Sequence, residues 1–281
     1  MRVLIFGAAG MLGHKLLEKL SPRFETFGTL RGGTAGLPAQ LPMGNLIEGV
    51  EANDLPALAA ALDRVRPDVA INCIGIIKQL KQAKDAVPSI RINALLPHQL
   101  AELCGERGVR LIHFSTDCVF SGRQGPYTEQ DSPDATDLYG RGKLLGELDQ
   151  PGCLTLRTSI IGPELRHGLS LLAWFLQQRG GRVKGYANAL FSGFPTTVMA
   201  DIVIKLIGEY PGLEGLWHVS SDPIDKYDLL RLINDTYGLG IAIERDEEFH
   251  CDRRLDSSRF RAATGYVPPS WPRLVQEMHA G

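Results

Sequence analysis

What this chain lacks narrows what it can be. Its five cysteines (Cys73, Cys104, Cys118, Cys153 and Cys251) show no C-x-x-C spacing, and an odd, scattered set reads as reduced thiols, not as a disulfide framework or a thiolate metal site. Its seven histidines follow no metal-ligand rhythm, so no metal is expected. Neither sign of charge dominates: 30 Lys and Arg against 32 Asp and Glu leave a net charge of −2, which gives no footprint for nucleic acid or an acidic membrane surface. No apolar run approaches the roughly 18 residues of a membrane span. The opening MRVLIFGAAG breaks into glycines too soon for a signal peptide. Repeats and low-complexity stretches are absent too. The expectation is a cytoplasmic protein with neither nucleic acid nor membrane as partner.

The 281 residues present, 44% hydrophobic and 22% charged, suffice for a large α/β domain with a full core. RVLIF (2–6) is a short apolar run ending in glycines, and Leu12, Leu16, Leu17 and Leu20 then recur at helical spacing. The alternation continues with strands predicted at 25–30, 68–75, 109–115 and 153–161, and helices at 54–65 and 92–108. Near-continuous apolar strands separated by helices imply a parallel sheet covered on both faces, hence an α/β, doubly wound, Rossmann-type fold. From about residue 163 the rhythm changes. Helices are predicted at 170–178, 196–210 and 226–238 and a strand at 215–220. The division expected is a dinucleotide-binding domain over 1–162 and a smaller α/β substrate lobe over 163–281, with chain crossings between them.

GAAGMLG places Gly7, Gly10 and Gly13 between the first strand and the first helix. Gly7 permits the tight turn, Gly10 admits a pyrophosphate to the backbone, and Gly13 lets the helix pack on the sheet, while the helix N-terminus supplies free N–H groups. NAD binders commonly carry an acid after the second strand; here TFGTLRGG offers Arg31, which suits a 2′-phosphate and favours NADPH, with NADH allowed.

LYGRGKLLGE (138–147) puts Tyr139 and Lys143 four positions apart, on one helical face. A phenol is a poor proton donor at neutral pH unless a neighbouring cation lowers its pKa, and Lys143 is placed to do so. The strand LIHFSTD ends in Ser115, Thr116 and Asp117. Strand ends of such a sheet face the ligand crevice, so Thr116 can hydrogen-bond a substrate carbonyl. Cys118 has no evident general base and is not read as a nucleophile. His113, within a strand, reads as a core residue.

Together GAAGMLG, RPDVAINCIG, STDCVFSG, YGRGKLLGE, LRTSIIG, SGFPTTVMADIV, GLWHVSS and RLDSSRFR resemble, along nearly the whole chain, the extended short-chain dehydrogenase/reductases. More closely they resemble the dTDP-4-dehydrorhamnose reductase family of sugar-nucleotide reductases. The resemblance implies Tyr139 as proton donor, Lys143 as its partner and ribose ligand, and Thr116 as the group orienting the ketone. It implies a cofactor site of Gly7, Gly10, Met11, Leu12, Gly13 and Arg31, together with Cys73, Gly75, Asn93 and Ser115. Asp117, Cys118 and Ile160 would line the sugar pocket. Apart from the resemblance, Phe194 is a candidate either to flank a nucleotide base or to pack in the core, and Arg166, Arg253 and Arg254 are candidate diphosphate clamps. The implied reaction is reduction of the C4 ketone of a dTDP- or UDP-linked 4-keto-6-deoxyhexose in surface-polysaccharide precursor synthesis. Two departures matter. Rhamnose-forming members usually carry Tyr where this chain has Cys118 and Trp where it has Ile160, which argues for a different hexose. Lys15 replaces a glutamate that lets some members bridge a dimer through magnesium, so a homodimer is allowed but that metal mode is not expected. Competing readings are an epimerase retaining NAD and a non-catalytic NADP-binding subunit like that of mammalian methionine adenosyltransferase.

Overall fold

A computed structural model describes residues 1–35, 37–38, 41–165 and 168–281, with the side chains of 81 and 82 also outside the description. The chain opens with β1 (Arg2–Phe6), α1 (Gly13–Leu20), β2 (Glu25–Thr29), β3 (Leu46–Ile47), α2 (Leu55–Val65) and β4 (Val69–Asn72). Next come α3 (Ala86–Ser89), a π-helical turn (Ile90–Leu95), α4 (Leu96–Gly105), β5 (Arg110–Thr116), α5 (Leu138–Leu145), β6 (Cys153–Thr158) and β7 (Ile160–Ile161). The second part holds α6 (Leu171–Leu176), β8 (Arg182–Phe191), β9 (Phe194–Pro195), α7 (Thr196–Gly208), β10 (Gly215–His218) and β11 (Ile224–Asp225). It ends with α8 (Lys226–Tyr237), β12 (Ala242–Asp252), α9 (Ser258–Thr264) and α10 (Trp271–Ala280).

Seven strands form one parallel sheet in the order β10-β6-β5-β4-β1-β2-β3. The order reverses between β1 and β4, and the C-terminal ends of those strands open the crevice where such sheets take their ligands. The apolar run of β1 is buried on both faces. Val3 and Ile5 join the core shared with α1 and α7, and Leu4 and Phe6 join the core shared with α2 and α4. That two-sided burial is why the strand shows no polar alternation.

The second lobe is not a clean C-terminal unit. β10 returns to the main sheet and pairs with β6, Trp217 lying beside Leu156. The remaining strands of this part form a three-stranded sheet, β11-β8-β12, and the small pair β7-β9. The strand expected over 153–161 is broken at Ser159, whose carbonyl accepts the Phe194 N–H at 2.9 Å, so Ile160 and Ile161 leave the main sheet to pair with β9. The helix expected over 92–108 starts earlier, as the π-helical turn, and passes into α4 at Pro97, which has no N–H to lose in a first turn.

Candidate active site

The glycine turn is shaped as its spacing demands. Gly7 has φ +85°, a conformation that strains any side chain. A Cβ on Gly13 would lie 2.2 Å from the Gly7 carbonyl oxygen, so only glycine lets α1 start this close to β1. A Cβ on Gly10 would sit 3.3 Å from the same oxygen and 3.8 Å from the Cys73 carbonyl, which places the turn against the end of β4. The turn is secured by N–H donation from Gly7 to Thr29 Oγ1 (3.2 Å) and from Ala8 to the Thr29 carbonyl (3.0 Å). The N–H groups of Met11 and Leu12 have no protein partner among the described residues, and α1 has no side-chain cap and no acid in its first turn. Free donors at a positive helix end, with glycines clearing the approach, fit a dinucleotide pyrophosphate. Arg31 follows β2, exposed and without an ion pair among the described residues.

α5 is brought to this crevice by its own glycines. A Cβ on Gly140 would lie 2.3 Å from the Cys118 carbonyl, and one on Gly146 would lie 2.1 Å from the Asn93 carbonyl. The helix therefore presses against both the end of β5 and the π-helical turn. Asp137 caps it, accepting from the Gly140 N–H at 2.8 Å, and is itself held by Lys78 at 2.6 Å. Asn93 is engaged below: Oδ1 accepts from the Ile76 N–H and Nδ2 donates to the Ile76 carbonyl, both at 2.9 Å. These bonds clamp the chain after β4 onto the π-helical turn and leave one Nδ2 hydrogen and one Oδ1 lone pair unused by them.

The packing brings Thr116, Asp117, Cys118, Tyr139 and Lys143 together. Thr116 Oγ1 accepts from the Cys118 N–H (3.1 Å) and donates to Asp117 Oδ1 (3.1 Å). Lys143 is buried and its Nζ donates to the Phe114 carbonyl at 2.6 Å. Burial drives its amine from an ordinary 10.5 down to about 8, opposed by the Glu147 and Cys73 charges. The electrostatic reach to Cys73 ties Lys143 to the glycine cradle.

Tyr139 departs from the expectation of a lowered phenol pKa. Burial pushes the phenol well above its ordinary value, reinforced by Cys118, Asp117 and Asp137, while a hydrogen bond with Thr116 pulls the other way. Lys143, occupied by the Phe114 carbonyl, is not among these influences. The phenol is therefore fully protonated through neutral pH.

Other expected residues fall differently. Ser115 Oγ donates to Glu147 Oε1 at 2.6 Å and is a structural tie. Cys73 is half-buried at the crevice, its thiol pushed up by burial, and Gly75 is exposed next to Asn93 Oδ1. Cys118 is pushed up to about 12 by burial and then by Asp117, which keeps it a thiol. Ile160 is half-buried at the start of β7. Phe194 is fully buried, edge-on to Tyr266 at 5.9 Å, so it belongs to the core and not to a base pocket. Arg254 is folded back on Asp252 at 2.6 and 2.8 Å. Its neighbour Arg253 is the one that reaches the site, donating from Nε to the Phe120 carbonyl at 2.9 Å and lying 3.9 Å from Cys118 Sγ. Arg166 lies outside the described residues. His113 is buried, with Nδ1 3.1 Å from Asn72 Nδ2; its Nε2 has no hydrogen-bond partner among the described residues, and burial lowers its pKa.

Two features escaped the sequence reading. Glu147 and Arg157 form a buried fork, Arg157 Nε to Oε1 and Nη2 to Oε2, both at 2.7 Å. The GKLLGE and LRTS stretches carried these residues, but nothing in either indicates the pairing. Lys226, the first residue of α8, comes within electrostatic reach of Asp117 from the second lobe.

Comparison with known proteins follows the same lines. A family model described as RmlD substrate binding domain matches residues 1–280. A probable dTDP-4,6-dihydroxy-2-methyloxan-3-one 4-ketoreductase of Streptomyces antibioticus is 31% identical over 229 residues, 79% of this chain and 72% of its own. Methionine adenosyltransferase 2 subunit beta of Mus musculus is 26% identical over 98% of this chain and 89% of its own. The crystal structure of a hypothetical dTDP-4-dehydrorhamnose reductase from Sulfolobus tokodaii has a TM-score of 0.79 and 26% identity, covering 96% of this chain and 98% of that one.

Proposed function

Since the chain belongs to the RmlD substrate binding domain family, we propose that it is an NADPH-dependent oxidoreductase that reduces the C4 ketone of a nucleotide-activated 4-keto-6-deoxyhexose. The sugar is dTDP- or UDP-linked, the setting is synthesis of surface-polysaccharide precursors in the cytoplasm, and NADH is an alternative reductant. One observation carries the reading: a protonated phenol, a threonine hydroxyl and a buried amine converge where the parallel sheet opens beside a glycine cradle.

Gly7, Gly10 and Gly13, with the free N–H groups of Met11 and Leu12, would hold a nicotinamide dinucleotide, which would supply the hydride. Tyr139 orients the ketone oxygen by donating a hydrogen bond to it, joined by Thr116 when its hydroxyl turns from Asp117 to the substrate, and both favour negative charge developing there. Tyr139 then gives its proton to the emerging alkoxide, whose basicity is raised by the same burial that raises the phenol, so a high phenol pKa does not obstruct the transfer. Lys143, anchored on the Phe114 carbonyl with two ammonium hydrogens to spare, would bind the cofactor ribose. In neutral water its amine is still largely protonated. Arg31 takes a 2′-phosphate.

The matched methionine adenosyltransferase subunit favours one rival, a scaffold that binds the dinucleotide without turnover. The test is a panel of dTDP- and UDP-4-keto-6-deoxy sugars, with NADPH consumption followed by absorbance. Net NADPH oxidation with at least one sugar, abolished in Tyr139→Phe, is the expected result. NADPH binding without oxidation of any sugar would favour the scaffold, and sugar conversion without net oxidation would favour an epimerase.

A further inference from the structure

Lys226 is an unpaired, half-buried cation in an unfavourable place. It is the first residue of a twelve-residue helix, where the backbone dipole is positive and disfavours a cation. Its Nζ lies 4.0 Å from the centre of the Phe191 ring, and it makes no hydrogen bond and no ion pair within 4.0 Å among the described residues. Burial drives its amine down to about 8, against the pull of Asp117, Cys118 and Cys251. The placement is nonetheless firm. Asp225 caps the helix by accepting from the Asp228 N–H at 2.8 Å, and the Tyr227 backbone sits against Gly185, where a Cβ would lie 2.9 Å from Tyr227 Cα. Apart from the Phe191 face and the pull of Asp117, this half-buried cation meets no compensating group among the described residues, and its three ammonium hydrogens have no protein acceptor there.

Within its electrostatic reach is Asp117, whose Oδ1 takes the Thr116 hydroxyl and whose carboxylate also draws on the Cys118 thiol, with lone pairs still to spare. Arg253, the other cation here, directs donors to the Phe120 and Ser121 carbonyls and so holds the loop. Lys226 and Asp117 thus attract each other across a gap wider than an ion pair, with matched donor and acceptor left over.

We propose that Lys226 is a substrate-binding residue that, with Asp117, brackets the C3 hydroxyl of the hexose. The ammonium donates to the hydroxyl oxygen and the carboxylate accepts its hydrogen. This rests on the ketoreductase reading and deepens it. Asp117 adjoins Thr116, which orients the C4 ketone, so the pair reaches the carbons beside C4. Of these, C5 of a 6-deoxy sugar offers only a methyl group and the ring oxygen, whereas C3 offers a hydroxyl that both donates and accepts. The site therefore selects sugars with a free C3 hydroxyl.

Calorimetry on the NADPH-loaded protein tests this with dTDP- and UDP-6-deoxyglucose, their 3-deoxy counterparts, and bare dTDP and UDP. A charge-assisted hydrogen bond of this kind is worth roughly 10–100-fold in affinity. Wild-type protein is expected to prefer the 3-hydroxy sugar by about that factor. Lys226→Met should lose the preference while binding NADPH and the bare nucleotide as before, and Lys226→Gln should retain part of it. Equal binding of the two sugars by wild-type protein overturns the proposal without needing a folded variant; if 4-keto sugars are still reduced, the ketoreductase reading survives. An equal loss of bare-nucleotide affinity in Lys226→Met also overturns it, by making Lys226 a diphosphate ligand. If wild-type protein binds NADPH but none of the nucleotide sugars, both readings fall.

Discussion

Removing the Glu147 carboxylate should damage this protein in two separable ways. Glu147 and Arg157 side chains are 11% and 4% exposed, so solvent screens their fork little. Glu147 also accepts from Ser115, while Arg157 lies over the Phe120 ring at 5.3 Å and meets His218 Nε2 at 3.2 Å. Breaking one side of a buried pair leaves a charge with no partner and costs about 3–5 kcal/mol. For a chain of this size each kcal/mol moves Tm by about 2–4 °C, so Glu147→Gln and Arg157→Met should each lower Tm by roughly 6–20 °C. The double variant Glu147→Leu/Arg157→Met should cost about 1–3 kcal/mol, since it strands only the Ser115 hydroxyl and His218 nitrogen. Urea unfolding of the four proteins measures this. Singles below about 1 kcal/mol, or a double equal to their sum, would refute the argument. The second effect is at the site. Glu147 lies one helical turn beyond Lys143, and its charge is the largest influence raising that amine. Without it the amine should titrate below its present value of about 8. The pH at which NADPH binding weakens should then move down in Glu147→Gln; a Glu147 that mattered only for folding would leave it in place.

Further outcomes follow from the same geometry. Tyr139→Phe should reduce kcat about 10²–10⁴-fold with NADPH affinity unchanged, whereas Lys143→Met should weaken both, as steady-state kinetics and fluorescence titration would show. Gly13→Ala drives a Cβ to 2.2 Å from the Gly7 carbonyl oxygen. It should cost about 1–3 kcal/mol and abolish tight NADPH binding, read by thermal shift with and without cofactor. Asn93→Ala strands the Ile76 N–H and carbonyl, for about 1–3 kcal/mol in urea unfolding. Burial raises the Cys104 thiol from 9.0 to about 12. Above pH 9.0 the unfolded thiol ionises and the folded one does not, so this group's contribution is complete below that pH and lost as pH rises toward about 12. Cys104→Ala should make the fall of stability with pH shallower by about 1.4 kcal/mol per unit over that range.

What was legible in the sequence was whatever the backbone itself enforces. The main strands and the glycine turn could be read because burial on two faces and close backbone contact admit few residue types. β8 and β12 could not. The inward positions of β8 are Val183, Gly185, Ala187, Ala189 and Phe191, mostly too small to carry a hydrophobic rhythm, and β12 is largely exposed on both faces. Within the site, Tyr139, Lys143 and Thr116 were legible because one helix and one strand end carry them. Lys226 and Arg253 come from distant elements folded over that strand end, and no spacing along the chain encodes such a meeting.

The same division explains why the phenol was misjudged. Spacing along a helix shows that an amine can reach a phenol; it does not show what else the amine meets. Here a carbonyl of β5 claims Lys143, and burial, which sequence spacing does not express, dominates both groups. The site's chemistry is therefore set less by its own helix than by the sheet beneath it and the second lobe above it. On the proposed reading the first lobe supplies the proton, the cofactor cradle and the Asp117 carboxylate, and the second adds the cations Lys226 and Arg253. Substitutions in α8 or after β12 should then change which sugar is accepted while leaving NADPH affinity as it was.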